Sequence, residues 1–77
     1  MYMVSVSSSR IDSVGYDEHL KLLQIQFVNG AMYEYYDVPK DIYIGLITAS
    51  SAGEYFHEYV RNVYRFSKIW LILINEY

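Results

Sequence analysis

Cysteine is missing from all 77 residues, which excludes disulfides, thiolate metal sites and a cysteine nucleophile. A thiol-free chain suits a reducing compartment, so a cytoplasmic setting is expected. Cationic side chains are scarce: six Lys and Arg stand against nine Asp and Glu, for a net charge of −3. Tight binding of long DNA or RNA needs a wide basic surface that displaces many counterions, and this balance argues against it. Six cations still suffice for a compact anion such as a nucleotide or short oligonucleotide. His19 and His57 are the only histidines and lie far apart in sequence. Without thiolates they fit no common ligand spacing, so neither a metal nor a cofactor is expected. No base is placed beside Ser7-Ser8-Ser9, so these serines read as turn and strand-end hydrogen-bonding residues, and no enzymatic step is expected. Long apolar runs are also lacking. The longest, Ile69–Ile74, falls far short of the ~20 residues a membrane-spanning helix needs. The serine-rich segment Met1–Arg10 has no apolar stretch of the kind a secretory leader requires, and none is expected.

Tyrosine, by contrast, is abundant, with ten copies. Its large ring packs like a hydrophobe while its hydroxyl asks for a partner. A core chosen for stability alone would draw more on Leu, Ile and Phe. The rings are therefore either packing elements or, in part, a platform for a ligand. At 53% hydrophobic content the chain folds rather than staying disordered. Its length makes one small domain over residues 1–77. A domain of this size buries only ~60–65% of its unfolded surface, so a second copy would add stability, and a homo-oligomer is expected.

Residues 1–6 read as an edge strand or a loose extension, with Tyr2, Val4 and Val6 alternating with Met3 and Ser5. Arg10–Tyr16 reads as a strand, Asp17–His19 as a loop, and Leu20–Phe27 as the clearest strand, with Leu23, Ile25 and Phe27 alternating with Gln24 and Gln26. Asn29-Gly30 marks a turn with two possible registers. A two-residue turn sets Ile25 opposite Glu34. A three-residue loop with Gly30 left-handed sets Ile25 opposite Tyr33 and Leu23 opposite Tyr35, gathering the large side chains on one face. Burial favours the second. Its outer face then carries Gln24, Gln26, Met32, Glu34 and Tyr36.

Asp37-Val38-Pro39 ends the hairpin and opens a helix, the only proline sitting in a first turn. Ile42, Tyr43, Leu46, Ile47 and Ala49 form its apolar stripe, and it runs out near Ser50. Ser51-Ala52-Gly53-Glu54 resembles a capping box for a second helix. That helix buries Phe56, Tyr59, Val60 and Val63, and sets His57, Arg61 and Arg65 at four-residue steps on another face, with Lys68 three further on. Phe66–Tyr77 reads as a strand added to the sheet or to a second subunit. The fold class is α+β: a small antiparallel β-meander of about three strands, two helices, and a C-terminal strand or extended tail.

In order along the chain, Ser7-Ser8-Ser9-Arg10-Ile11, Gly15-Tyr16-Asp17, Leu23-x-Ile25-x-Phe27-x-x-Gly30, Tyr33-x-Tyr35, Val38-Pro39, Ala49-Ser50-Ser51-x-Gly53-x-Tyr55-Phe56 and Arg61-x-x-Tyr64 together resemble the KTSC domain. That family takes its name from the C-terminus of some lysyl-tRNA synthetases and also occurs alone in small bacterial and phage proteins. The resemblance spans residues 4–68. It implies a compact domain with a short β-meander followed by helices, and a link to RNA or nucleotides. His57, Tyr59 and Arg65 depart from the family pattern, and residues 69–77 form an apolar extension outside it.

Arg10, Arg61, Arg65 and Lys68 are the cations available to an anion. Tyr64 stands between Arg61 and Arg65, and Tyr16 beside Asp17 offers a ring for a base and a carboxylate for a ribose hydroxyl. The expected ligand site is therefore Arg10, Tyr16, Asp17, Arg61, Tyr64 and Arg65, with Tyr36 a further ring and Tyr33, Tyr35, Tyr43 and Tyr55 structural. Base stacking is worth ~1–3 kcal/mol per ring without a broad basic surface. Two functions follow. One is a non-enzymatic module that captures a nucleotide or short oligonucleotide; in a phage-type protein this would sequester a nucleotide immune signal. The other is a protein-interaction or oligomerisation module anchored by Ile69, Trp70, Ile72 and Ile74.

Overall fold

The structure, a computed structural model, describes residues 1–69. Five strands form one antiparallel sheet in sequence order: β1 (Met3–Ser5), β2 (Ile11–Asp17), β3 (Leu22–Phe27), β4 (Met32–Tyr35) and β5 (Phe66–Ile69). Two helices, α1 (Lys40–Thr48) and α2 (Ala52–Tyr59), lie between β4 and β5 in sequence. The α+β class and the C-terminal strand hold. The meander gains a strand over the expectation because the short N-terminal segment pairs with β2, Met3 opposite Gly15; the C-terminal strand Phe66–Ile69 pairs with β4. Among the described residues no helix is long and apolar enough to cross a membrane.

The hairpin adopts the register that burial favours. Ile25 lies opposite Tyr33 and Leu23 opposite Tyr35. The Phe27 amide donates to the Ala31 carbonyl at 2.8 Å, and Gly30 takes φ 95°, a left-handed geometry that glycine adopts without a Cβ clash. Across the outer face, Gln24 Nε2 donates to Glu34 Oε2 at 3.0 Å. One irregularity was not readable in the alternation. A bulge at Asp12, between Ile11 and Ser13, turns Ile11 onto the same face as Val14 and Tyr16. Ile11 and Val14 are consequently both buried although they are three residues apart.

That inner face carries the core, in which Ile11, Val14, Leu23, Ile25, Val38, Leu46 and Val60 are closed off from water. Burying such a side chain contributes roughly 1.5–3 kcal/mol each. α1 lies against β2, where Tyr43 stacks on Tyr16, and against α2. α2 lays Phe56 edge-on against Phe27 and Tyr35. Pro39 sits at the N-cap of α1 rather than inside its first turn, with extended ψ of 153°. The Ser51 hydroxyl accepts the Glu54 amide at 3.3 Å, the hydroxyl half of the expected capping box.

The expected length of α2 is corrected. Its regular turns stop at Tyr59, and the amides of both Val60 and Arg61 donate to the Phe56 carbonyl. Asn62 then takes φ 64°, a left-handed geometry that ends helices. Phe56 and Val60 are buried as expected, but Tyr59 and Val63 are exposed. Arg61 and Arg65 do not share a helix face, because the chain between them turns and enters β5.

Candidate functional site

The helices cover only part of the inner face. β5 places Phe66 opposite Tyr35 and Lys68 opposite Tyr33, and Phe66 remains 55% exposed. The result is a groove of about 520 Å³, large enough for a small ligand, beside α2 and over β3, β4 and β5. Its apolar lining is Phe27, Tyr33, Tyr35, Phe56 and Phe66. The rings brace one another: Phe66 lies 5.6 Å from both Tyr33 and Tyr35, and Phe27 meets Tyr33 edge-on at 5.6 Å. Such pairs add ~0.5–1.5 kcal/mol beyond burial and fix the floor in place.

Arg10, Arg61 and Lys68 also line the groove. Arg10 enters from the segment before β2, where the Ser8 hydroxyl accepts the amides of Arg10 and Ile11 at 3.1 and 3.0 Å and sets the turn. Arg61 enters from the turn after α2. Its Nη1 donates to His57 Nδ1 at 3.4 Å, since a guanidinium can only donate. The buried Tyr35 phenol reports on this arrangement. Loss of hydration pushes its pKa up to about 12, the neighbouring Tyr33 adds to the rise, and the positive charge of Arg61 opposes it. Arg61 therefore stands close enough to the floor for its charge to be felt there. Among the described residues neither Arg10 nor Arg61 forms a salt bridge.

A second depression of about 550 Å³ adjoins the first, and Arg10 and Arg61 line both. Its remaining lining is polar: Ser8, Ser9, Ser51, Gly53, Glu54, His57 and Glu58. The start of α2 is not an open anion cradle. The Ala52 amide donates to the Ser7 carbonyl at 2.9 Å, the Glu54 amide is taken by Ser51, and Ser8 Oγ stands 3.1 Å from where a Cβ on Gly53 would lie.

Of the six residues expected at one ligand site, the structure brings Arg10 and Arg61 together and disperses the others. The Tyr16 ring stacks on Tyr43 at 5.3 Å, and its hydroxyl donates to the Val38 carbonyl at 2.6 Å. Burial raises the Tyr16 pKa, with Glu18 adding to the rise. Asp17 Oδ1 accepts the amides of His19 and Leu20 at 2.9 and 3.1 Å, closing the turn before β3. Both residues are spent on internal contacts and line neither depression. Arg65 donates to Asp37 Oδ2 at 2.8 Å and lies over the Tyr36 ring, 5.5 Å from its centroid. Tyr64 is half-buried and packs against the core. Tyr36, Tyr64 and Arg65 border a separate, shallow depression. Of the residues expected at an oligomer interface, Ile69 lies in β5, at the edge of the sheet among the described residues, opposite Met32. Trp70, Ile72 and Ile74 lie outside the described residues.

The groove rings that sequence reasoning passed over are Phe27, Tyr33, Tyr35, Phe56 and Phe66. Strand alternation identifies Phe27, Tyr33 and Tyr35 as inward-facing, and helical spacing identifies Phe56. Neither can tell a closed core from a half-open floor, which depends on where α2 stops. Asn62 was the available signal, as a residue that favours the left-handed geometry at helix ends.

Among the described residues, a five-stranded antiparallel sheet with a helix pair over one face, and an aromatic, arginine-rimmed groove at the end the helices leave bare, defines a small α+β domain. A sequence model of the KTSC domain matches residues 7–64, and the chain belongs to the KTSC domain family. A protein of Tsukamurella paurometabola is 36% identical over 63 residues, 82% of this chain and 94% of that protein. The crystal structure of a KTSC domain protein from Yersinia pestis superposes with a TM-score of 0.82 at 36% identity, over 88% of this chain and 96% of that one. A lysine–tRNA ligase of Nostoc punctiforme is 27% identical over 67 residues, 87% of this chain but 12% of the ligase.

Proposed function

We propose that this domain is a non-enzymatic binding module whose groove takes a nucleotide or short oligonucleotide, the base on the aromatic floor and the phosphate on Arg10 and Arg61. One observation carries the reading: a floor of mutually braced rings, Phe66 exposed and Phe27 and Tyr33 half-buried, lies beside two arginines, supplied by different parts of the chain, that form no salt bridge among the described residues. Stacking on such a floor is worth ~1–3 kcal/mol per base and tolerates any base. Guanidinium groups suit phosphate through paired, charge-assisted hydrogen bonds. Overall negative charge is compatible with this, because a compact ligand needs two or three cations rather than a basic surface. The relative among the lysine–tRNA ligases, a protein whose name pairs it with an RNA, supports the same ligand class.

Calorimetry of the protein with adenosine 5′-monophosphate tests the proposal. Binding at one ligand per chain is expected, with loss on Arg10→Ala or Arg61→Ala. The ligand should be recovered chemically intact after denaturation. Altered nucleotide would replace the binding-module reading with an enzymatic one, and no heat of binding with any nucleotide would remove the reading.

A second reading, as a protein-interaction module, rests on β5, an edge strand among the described residues, with exposed Phe66. Edge strands offer unpaired backbone groups to another chain. Deleting residues 69–77 separates the two. Loss of assembly with retained nucleotide binding favours the groove, whereas loss of assembly with no nucleotide binding before or after the deletion favours the edge.

A further inference from the structure

We infer that the ligand is a dinucleotide, two nucleosides joined through phosphate, rather than a mononucleotide or a nucleoside triphosphate. The inference rests on the nucleotide-binding reading and concerns what lies beyond the first phosphate. Arg10 and Arg61 line both depressions, so a phosphate they hold is placed between the two rather than at the end of one. The two sides differ in chemistry. The aromatic side offers Tyr33, Phe66 and their neighbours and no carboxylate; the polar side offers serine hydroxyls together with Glu54 and Glu58.

This asymmetry decides what crosses the arginine pair. A triphosphate extending onto the polar side would carry further negative charge toward two carboxylates, and like charges at close range are repelled. A ribose and base carry no charge there. Their hydroxyls and amines donate to Glu54 and Glu58, while serine hydroxyls both donate and accept. The polar side is about as large as the aromatic side, at about 550 against 520 Å³, so a second nucleoside is matched to it in size as well. One base stacks, the linking phosphate is clamped, and the second nucleoside is held by hydrogen bonds.

The test compares adenosine monophosphate, adenosine triphosphate and two diadenosine probes, one joined by a 3′,5′-phosphodiester and one by a 5′,5′-pyrophosphate. Each is titrated by calorimetry against the wild-type chain and the double variant Glu54→Gln, Glu58→Gln. At least one diadenosine probe should bind about tenfold or more tighter than the monophosphate, the step that ~1.4 kcal/mol represents. The double variant should erase that advantage while leaving monophosphate binding unchanged or stronger. Removing two negative charges strengthens anion binding in general, so a selective loss for the diadenosine cannot come from bulk charge. Equal affinity for monophosphate and both diadenosines overturns the inference and leaves the groove assignment standing. Tightest binding of the triphosphate does the same. Failure of every probe on folded wild-type protein overturns both. A thermal melt of the double variant, expected to match wild type because both side chains are exposed, guards against loss by unfolding.

Discussion

Replacing Phe66 with alanine separates a ring kept for packing from a ring kept for a ligand. Removing a fully buried phenylalanine costs ~3–5 kcal/mol. Phe66 is 55% exposed, so less than half of that contact is lost, and the cost to folding should be about 1.5–2 kcal/mol. Phe56, 9% exposed and wedged against Phe27 and Tyr35, should cost the full amount. Binding is expected to respond differently. Phe66 forms the open edge of the floor, and loss of a stacking ring is worth ~1–3 kcal/mol, or roughly 5- to 150-fold in affinity. Urea denaturation followed by fluorescence gives the first number, and calorimetry with adenosine monophosphate gives the second. Phe66→Leu is the control, since it keeps apolar volume and removes the π-face; it should hold stability within about 1 kcal/mol and still weaken binding. Two results would refute the reasoning. A Phe66→Ala cost above ~3 kcal/mol would make the ring a core element despite its exposure. Unchanged affinity in a folded Phe66→Ala protein would take the base off this floor.

Arg10→Ala and Arg61→Ala should each lower the slope of log affinity against log salt by about 0.7 for a single-stranded dinucleotide, whereas Arg65→Ala, whose guanidinium is paired with Asp37, should leave it unchanged; equal effects from all three would make the dependence nonspecific. Gly45→Ala should destabilise the fold by ~1–3 kcal/mol, because the new Cβ would run into the Tyr55 ring, 2.6 Å from its Cε2, where α1 and α2 meet; an unchanged melting temperature would mean that the ring moves aside freely. Tyr35 contributes stability that is complete below pH 10 and lost as pH rises toward about 12, since the unfolded phenol ionises first while the folded one resists. Two units of separation set an upper bound of ~2.7 kcal/mol on that loss. Tyr35→Phe should remove that share of the alkaline loss, and identical pH profiles for the two proteins would contradict the assignment.

Register and burial in the β3–β4 hairpin were legible from the chain because only one turn length put Leu23, Ile25, Tyr33 and Tyr35 on the same face. A period-2 pattern is self-checking in this way: a slip of one residue exposes every large side chain. The bulge at Asp12 breaks the same pattern locally, and nothing in Ile11-Asp12-Ser13 marks it. The length of α2 was misread for a different reason. Phe56, Tyr59, Val60 and Val63 fit a helical stripe, and periodicity alone has no term for where a helix ends. Arg61 and Arg65 were grouped on that false helix, and Tyr16 and Asp17 were grouped by adjacency. Arg10 was the member whose place depended on tertiary structure, and it is the one that meets Arg61. Adjacent residues share a neighbourhood of the chain, whereas a site is assembled from side chains that the sheet and helices carry to one place.

Two of the ten tyrosines, Tyr33 and Tyr35, line the groove beside which α2 stops. Asn62 ends the helix, and the chain then drops into β5 alongside β4. Among the described residues the inner face near β5 is thus only partly covered, buried at Phe56 and exposed at Phe66. Leucine or phenylalanine suits a closed core, and serine or glutamine suits an open sheet face, as on the outer side with Gln24 and Gln26. A boundary that is apolar below and hydrated above favours a ring with a hydroxyl at its tip. Tyr33 and Tyr35 occupy that boundary. Tyr16 meets the same demand elsewhere by giving its hydroxyl to the Val38 carbonyl, and Tyr55 by packing against Tyr59 beside α1, its pKa raised chiefly by burial. Packing and groove lining are therefore not alternatives divided among different tyrosines. Tyr33 and Tyr35 each pack with the core rings and also line the groove, and a sequence pattern that reports only the first leaves the second to be found in the fold.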